Sequence, residues 1–437
     1  METQTWHNWA HCAGASPRRF ATPKSVAEVS AEVARAASEG LHVKCIGAGH
    51  SFTSVAVTDG VMISLDNLRG ITSAVPVSPS GALVTVLAGT RLYELNPALW
   101  DLGLAMVNLG DIDAQSIAGA ISTGTHGTGA RFGGLANQIR SLQLVLADGT
   151  VADCSAEENP ELFHASRLGL GAVGIIVSLT LHCAPAYMLR AVEAPARLGE
   201  TLANLDEHVG SVDHFEFYWF PHTDRILTKH NTRLPGDTPP DPVPALRAYI
   251  DDELLSNTVF EGVNRIATRF PAAIPQINKL TARVLGARTY TDRSYRVFAS
   301  PRRVRFREME YAVPAEALAD TLREIDRWIT DSDFTVAFPV EVRFAAADDI
   351  WLSTANGRET AYIAVHQYHR RDHREYFDAV ETIARAVDGR PHWGKLHSRT
   401  AEDLRPTYRH FDEFRSARDK YDPGQVFDND YLRRVLG

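Results

Sequence analysis

Ile46-Gly47-Ala48-Gly49-His50-Ser51-Phe52 stands directly after a short apolar run, His42–Ile46, that reads as a strand. Glycines this closely spaced let backbone N–H groups approach a pyrophosphate that bulkier residues would hold off. A Rossmann turn does not fit, because Phe52 takes the place of the third glycine and the chain runs on into loop and strand. A second stretch of small residues begins at Asn108-Leu109-Gly110-Asp111. It continues into Ser116-Ile117-Ala118-Gly119-Ala120-Ile121-Ser122-Thr123-Gly124-Thr125-His126-Gly127-Thr128-Gly129. Hydroxyls and an imidazole among small residues give a backbone that can press flat against a large planar ligand and bond its polar edge. The plain alternatives are a tight turn for the first stretch and a glycine-rich surface loop for the second.

Outward from these stretches, the first 185 or so residues alternate helix signals with short strands. Ser25 and Glu28 form a capping box, Val26, Val29 and Val33 share a helical face, and Gly40 follows, so a helix spans about 26–39. Strands are expected at His42–Ile46, Val61–Ser64, Leu83–Leu87, Ser141–Leu146 and Gly174–Leu181. The pattern is α+β. Beyond Pro185 and Pro195 the texture becomes antiparallel. Phe215, Phe217 and Trp219 share one face of a strand whose other face carries His214, Glu216 and Tyr218. Pro235, Pro239, Pro240, Pro242 and Pro244 mark a loop. A strand near Arg305–Val313 and a helix opened by Pro314, striped by Leu318, Leu322 and Ile325, come next, followed by strands at Val336–Phe344 and Tyr362–Tyr368.

The chain has 437 residues, enough for two or three domains, and a formal net charge of −9 with no basic tract suited to a phosphate backbone. Nucleic acid is therefore not an expected partner. Leu168–Leu181 is glycine-studded and too short to cross a bilayer as a helix, and the first ten residues lack a secretory pattern. Cys12, Cys45, Cys154 and Cys183 lie far apart without metal or disulfide spacing, which fits a reducing, cytoplasmic setting.

On the strand Phe338–Phe344, Glu341 and Arg343 stand side by side opposite Phe338, Val340, Val342 and Phe344. The plain alternative is a cross-strand salt bridge on a solvated face. His366 and Tyr368 share a face of the next strand. His366, His369 and His373, with Asp372 nearby, allow a reading of another class, a metal-dependent hydrolase. Those histidines fit one element poorly, since His366 and His369 fall on opposite faces and a helix is expected to begin near Asp372.

Gly-Ala-Gly-His50-Ser-Phe and Ser-Thr-Gly-Thr-His126-Gly-Thr-Gly together resemble the FAD-binding half of the vanillyl-alcohol oxidase (PCMH-type) family. His392-Trp393-Gly394-Lys395 resembles the His-Trp-x-Lys signature of its aldonolactone branch, which holds gulonolactone, arabinonolactone and galactonolactone oxidoreductases, with alditol oxidases as close relatives. The resemblance runs through Asp422-Pro423-Gly424 to Arg434-Val435-Leu436-Gly437. The segment His214–Asp224 and Asp111 resemble the lactone enzymes rather than the alditol oxidases.

The resemblance implies an FAD-binding domain over 1–187, an antiparallel-sheet-plus-helices cap over 188–394 that holds the substrate, and a segment over 395–437 returning to the first domain. It assigns FAD to Gly47, Ala48, Gly49, His50, Ser51, Ser116, Gly119, Ser122, Thr123, Gly124, Thr125, His126, Gly127 and Ile175, with His50 covalently bound to the isoalloxazine ring or, alternatively, a noncovalent loop histidine. It makes Glu341, Arg343 and Lys395 catalytic, gives substrate hydroxyls to Asp111, His366, Tyr368 and His392, and implies no metal. The implied reaction is oxidation of an aldono-1,4-lactone, L-gulono-1,4-lactone first, by hydride transfer to flavin N5, giving the ascorbate precursor. D-arabinono-1,4-lactone, L-galactono-1,4-lactone and, in a different branch, alditols such as xylitol or sorbitol stay open as substrates. Fixed cations at the developing alkoxide and the flavin N1 edge suit that chemistry, Glu341 and Lys395 being interchangeable as base. Electrons would pass to oxygen, for which Gly110 leaves a path, or to cytochrome c or a quinone, membrane contact then being peripheral.

Overall fold

The computed structural model describes residues 5–244, 260–300 and 303–437. Near the N-terminus, the helix Val26–Ser38 starts where the Ser25 hydroxyl accepts from the Glu28 N–H at 3.2 Å, and it buries Val29, Val33 and Ala36. Behind it, Val61–Ser64 lies between Arg19–Ala21 and Val43–Ile46 in a small parallel sheet. A separate antiparallel sheet runs in the order Val151–Ser155, Ile139–Val145, Ile175–Pro185, Gly81–Leu87 and Ile71–Val77, with Leu104–Met106 paired to the far end of Ile175–Pro185. These elements share one apolar core with the C-terminal helices Phe411–Tyr421 and Asp430–Leu436, whose Phe411, Phe414, Tyr431 and Leu432 are buried in it.

One residue separates Pro185 from Tyr187, where an eight-stranded antiparallel sheet begins. Its order is Arg288–Arg293, Tyr187–Arg197, Arg225–Pro235, His214–Trp219, Val340–Ala345, Thr360–Tyr368, Phe306–Pro314 and Arg390–Pro391. Side chains alternate across it. Phe215, Phe217, Met309, Tyr311, Val342 and Ile363 face one way and form a core with the helices Leu318–Asp331 and Arg374–Arg385. Glu216, Tyr218, Glu308, Glu310, Glu341, Arg343 and His366 occupy the alternate positions of the same strands.

Two expected elements differ. The strand expected from Val336 begins at Val340, because Pro339 has no N–H for the ladder. Pro314 closes a strand instead of opening a helix, and a turn of 3-10 helix over Ala315–Ala317 precedes Leu318–Asp331. Its stripe of Leu318, Leu322 and Ile325 is buried as expected.

Phe217 is fully buried between the cap sheet and its helices. Phe217→Ala should lower the unfolding free energy of the chain by about 3–5 kcal/mol, read by urea denaturation; a loss under 1 kcal/mol would contradict this packing.

Candidate active site

The loop Gly47–Ser51 leaves the edge of the small parallel sheet and forms one wall of a long cleft. Gly49 has φ +71°, a conformation that a side chain at this position would strain, and a Cβ on Gly47 would collide with the Ser116 hydroxyl. The two glycine-rich stretches therefore meet backbone to side chain. Ser116, Gly119, Ser122 and Thr123 form the facing wall, and Gly171, Gly174 and Ile175 close the side. Lys44 lies in the same cleft. Its ammonium donates to the Phe427 carbonyl at 3.0 Å, and burial, partly offset by Asp428, brings its pKa down to about 8. Two of the lining residues, Gln115 and Ser166, carry buried oxygens, Oε1 and Oγ, with no hydrogen-bond partner among the described residues.

At His50, Ser51, Gln115 and Thr123 the cleft meets a smaller recess. Asp111, Thr125 and His126 come to it from the first domain, Glu310 and Arg343 from the cap sheet, and His392 and Lys395 from the segment after the last strand. Arg343 is bonded to Glu341 and Glu216, 3.1 Å to the latter, and lies 3.4 Å from Asp111. Burial opposes its charge, but Glu341, Asp111 and Glu216 outweigh that and hold the guanidinium charged, well above its ordinary pKa. Burial also opposes the charge of Lys395, and its contact with Glu308, aided by Glu310, raises its pKa. The same contact, with His366, brings Glu308 down to about 2 despite its burial.

His126 faces oxygen acceptors with both ring nitrogens, Nδ1 toward the Gly127 carbonyl at 2.8 Å and Nε2 toward Glu310 at 2.7 Å. Glu310 is held strongly below the ordinary carboxylate range by His126 and His392 despite its burial. His392 stands beside His126, ring centroids 5.8 Å apart. Its Nδ1 accepts from the Gly394 N–H at 3.0 Å, and burial lowers it to about 4.

The structure revises several expectations. Of the run assigned to the cofactor, Ser116, Gly119, Ser122 and Thr123 line the cleft, but Thr125 and His126 line the recess. Gly124 and Gly127 line neither. They serve close packing, since a Cβ would press on Leu168 at the first and collide with the Leu109 carbonyl at the second. Asp111, Arg343, His392 and Lys395 line the recess, whereas Glu341 stands behind Arg343 and also accepts from the Tyr218 hydroxyl at 3.0 Å. His366 stands behind Glu308 at 3.4 Å and donates through Nδ1 to the Pro339 carbonyl at 3.2 Å. Tyr368 lies outside the recess. It pairs across the ladder with Phe306, one alternation beyond Glu308, and its hydroxyl donates to Glu261 at 2.7 Å. Trp393 is a core residue, its N–H donating to the Leu352 carbonyl.

The histidine run does not converge. His366 meets Glu308, His369 packs edge-on against Tyr368, and His373 sits beside Phe377 and Arg307. Among the described residues, the cluster with metal-ligand spacing is His126, Glu310 and His392, whose ligating atoms lie within 4.8 Å of one another, and Glu310 and His126 are already bonded together there.

Glu308, Glu310 and Gln115 were missed in the sequence, and Glu216 was placed on the face opposite the core residues of its strand without a role. The alternation of Met309, Tyr311 and Val313 against Glu308 and Glu310 carries a signal for the first two.

Residues 179–435 match the family described as D-arabinono-1,4-lactone oxidase, and residues 17–155 match the FAD binding domain. The chain is 42% identical over 432 residues to L-gulono-1,4-lactone dehydrogenase of Mycobacterium tuberculosis strain H37Rv, covering 99% of each chain. It is 34% identical over 441 residues to L-gulonolactone oxidase of Bos taurus, covering 99% of this chain and 98% of the other. The crystal structure of cholesterol oxidase from B. sterolicum superposes with a TM-score of 0.81 at 19% identity, covering 99% of this chain and 97% of that one, a likeness of fold. FAD is the cofactor, and the cleft suits it. Its walls are rich in small residues, its length runs from the Lys44 region to the recess, and two of its lining residues, Gln115 and Ser166, keep buried oxygens without a partner among the described residues.

His50 and His392 have pKa values lowered from 6.5 to about 4, chiefly by burial. Their neutral forms stabilise the fold above pH 6.5, and that stabilisation is lost as pH falls toward 4; the contribution of Glu308, lowered from 4.5 to about 2, goes only below pH 4.5. The thermal midpoint should therefore fall between pH 6.5 and 4, and His392→Asn should make that limb shallower in scanning fluorimetry. An unchanged slope would contradict a buried neutral His392.

Proposed function

The chain belongs to the D-arabinono-1,4-lactone oxidase family of FAD-dependent oxidoreductases, and from that premise we propose that it oxidises an aldono-1,4-lactone, L-gulono-1,4-lactone before its stereoisomers. The observation that carries this reading is the meeting of the long cleft with the recess at His50, Ser51, Gln115 and Thr123, where Arg343 and Lys395 both face the recess. The relatives support a lactone substrate and give no support to the alditol or metal-hydrolase readings.

Bound FAD supplies the hydride acceptor, and the remaining work falls to the chain's own residues. As the substrate carbinol loses its proton, negative charge develops on oxygen, where Arg343 and Lys395 stabilise it. Lys395 is held protonated by Glu308, so it donates to that oxygen and takes no proton from it. The Glu341 carboxylate, engaged by Arg343 and Tyr218, positions the guanidinium. Asp111, a recess carboxylate 3.4 Å from Arg343, orients the substrate hydroxyl and receives its proton. His392 and His126 hold neighbouring hydroxyls.

We further propose that His50 carries the isoalloxazine covalently. Its ring stacks on Trp9 with centroids 5.6 Å apart and is kept neutral by burial, the form in which an imidazole nitrogen is nucleophilic. The product keto-lactone would be the ascorbate precursor, and electrons would leave for oxygen or for a carrier such as cytochrome c or a quinone. A reducing cytoplasmic setting is supported by four unpaired thiols.

An anaerobic bleaching screen should show L-gulono-1,4-lactone reducing the flavin, and Arg343→Ala or Lys395→Ala should slow that reduction by about 100-fold or more. Near-normal reduction in both variants would reject this site. Acid precipitation should leave yellow flavin in the pellet for the parent chain and in the supernatant for His50→Ala. Free flavin from both would reject the covalent link.

A further inference from the structure

Arg233 stands on the cap strand Arg225–Pro235 and reaches across the seam to the first domain. Its guanidinium carbon lies over two aromatic rings, 4.0 Å from the centroid of Phe132 and 4.4 Å from that of Tyr187. The neighbouring Asp213 carboxylate is bonded to Arg131 and to the Arg233 backbone N–H, each at 2.8 Å, and leaves the guanidinium to other partners. Burial pulls the pKa of Arg233 below the ordinary arginine value. A cation kept in a domain seam on such terms needs hydrogen-bond acceptors. It finds them in the Val107 carbonyl, to which Nη2 donates, and in His214 Nε2, 3.2 Å from Nε. The Tyr187 hydroxyl adds a second donor to the same carbonyl at 3.2 Å.

Val107 opens the segment that ends at Asp111, and that segment has little slack. Gln138 accepts from the Val107 N–H and donates to the Asn108 carbonyl, both at 2.9 Å. On its other side the segment lies backbone on backbone against the second glycine-rich stretch. A Cβ on Gly127 would collide with the Leu109 carbonyl, and one on Gly110 would come within 3.1 Å of the His126 carbonyl. At the far end the Ser300 N–H donates to the Asp111 carbonyl at 3.0 Å. A segment of the first domain is thus hung from the cap at both ends, by Arg233 and Tyr187 at one and by Ser300 at the other. It carries the Asp111 carboxylate into the recess, 3.4 Å from Arg343.

We propose that Arg233 is a positioning residue for the reaction: by holding the Val107 carbonyl it fixes where the Asp111 carboxylate meets the substrate hydroxyl. The inference rests on the role given above to Asp111 as receiver of the hydroxyl proton. A stiff segment passes a displacement at Val107 on to Asp111, and misplacing a reacting group by about 1 Å can cost about 100-fold in rate. Arginine suits the task because a planar guanidinium packs on ring faces while its edge donates in two directions.

The test is a double-mutant cycle on the FAD-loaded enzyme, with the flavin reduced anaerobically in a single turnover by L-gulono-1,4-lactone. Asp111→Asn should slow the limiting rate about 100-fold and Arg233→Met about tenfold. For Arg233→Met the half-saturating lactone concentration should stay within about twofold of the parent, because Arg343 and Lys395 still hold the substrate. In the Asp111→Asn background Arg233→Met should cost less than about twofold, since the group it positions is already gone. Tyr187→Phe removes the second donor with little change of volume and should follow the same pattern at about threefold. If Arg233→Met does not retain the flavin spectrum of the parent, the Tyr187→Phe cycle decides in the same way. Equal losses in both backgrounds, a loss carried by half-saturation, or near-parent rates in both seam variants overturn the inference and leave the proposed reaction standing. Near-parent reduction by Asp111→Asn overturns the role of Asp111 and the inference with it.

Discussion

The helices Leu318–Asp331 and Arg374–Arg385 cover one face of the cap sheet, and that single fact governs where charge can go. Side chains alternate along every strand, so an apolar residue committed to the helices sends its neighbours to the opposite face. That face is itself buried against the first domain. Glu216, Glu308, Glu310, Glu341 and Arg343 are all under a tenth exposed. Charges removed from water persist only when paired and hydrogen-bonded, and each of these is. Glu341 and Glu216 take Arg343, Glu308 takes Lys395, and Glu310 takes His126. The recess is what such a network leaves where its partners come from different segments of the chain.

The same bonds join the two domains. His126 and Asp111 belong to the first domain, while their partners Glu310 and Arg343 belong to the cap sheet. Around them the Gly129 N–H donates to the Phe344 carbonyl at 2.8 Å, His214 Nδ1 to the Thr128 carbonyl at 2.7 Å, and the Phe52 N–H to the Gly394 carbonyl at 2.7 Å. The glycine-rich stretch that forms a wall of the cleft thus continues, within a few residues, into the seam with the cap. Assembling the recess and docking the domains are one event. Groups wired this closely are expected to behave as a unit, so losses from single and double substitutions in the network will not add.

Much of this was legible in the sequence. Glycine spacing marked both walls of the cleft, because close backbone approach leaves few residue types to choose from, and period-two alternation put Glu341 beside Arg343 on a non-core face. What alternation could not give was depth. Glu341, His366 and Tyr368 share a face with recess residues, yet the ladder register places Tyr368 beside Phe306 and puts Glu341 behind Arg343. Depth depends on which strands become neighbours, and that is a long-range fact. Glu308 and Glu310 show the converse. Their alternation with Met309 and Tyr311 was visible, but a charge on a strand usually means solvent, and only the first domain packed above them makes it mean a site. Thr125 and His126 line the recess and not the cleft for a related reason, since a loop that leaves one cavity enters the next within two residues.

The balance of charge around the recess also bears on what can enter it. Asp111, Glu216, Glu308, Glu310 and Glu341 are five carboxylates. The cations near them are Arg343, Lys395 and Lys229, which lies 3.5 Å from Glu216. Arg343 alone serves three of the carboxylates, so little of its field is left unanswered. An additional carboxylate placed here would have to displace one already present, whereas a neutral polyhydroxy ring needs only donors and acceptors, which ion pairs with remaining lone pairs and N–H groups provide. A lactone is such a ring, and its hydrolysed acid is not. The compensation that makes buried charge tolerable thereby favours the closed form of the substrate, through electrostatics and before any stereochemistry is read.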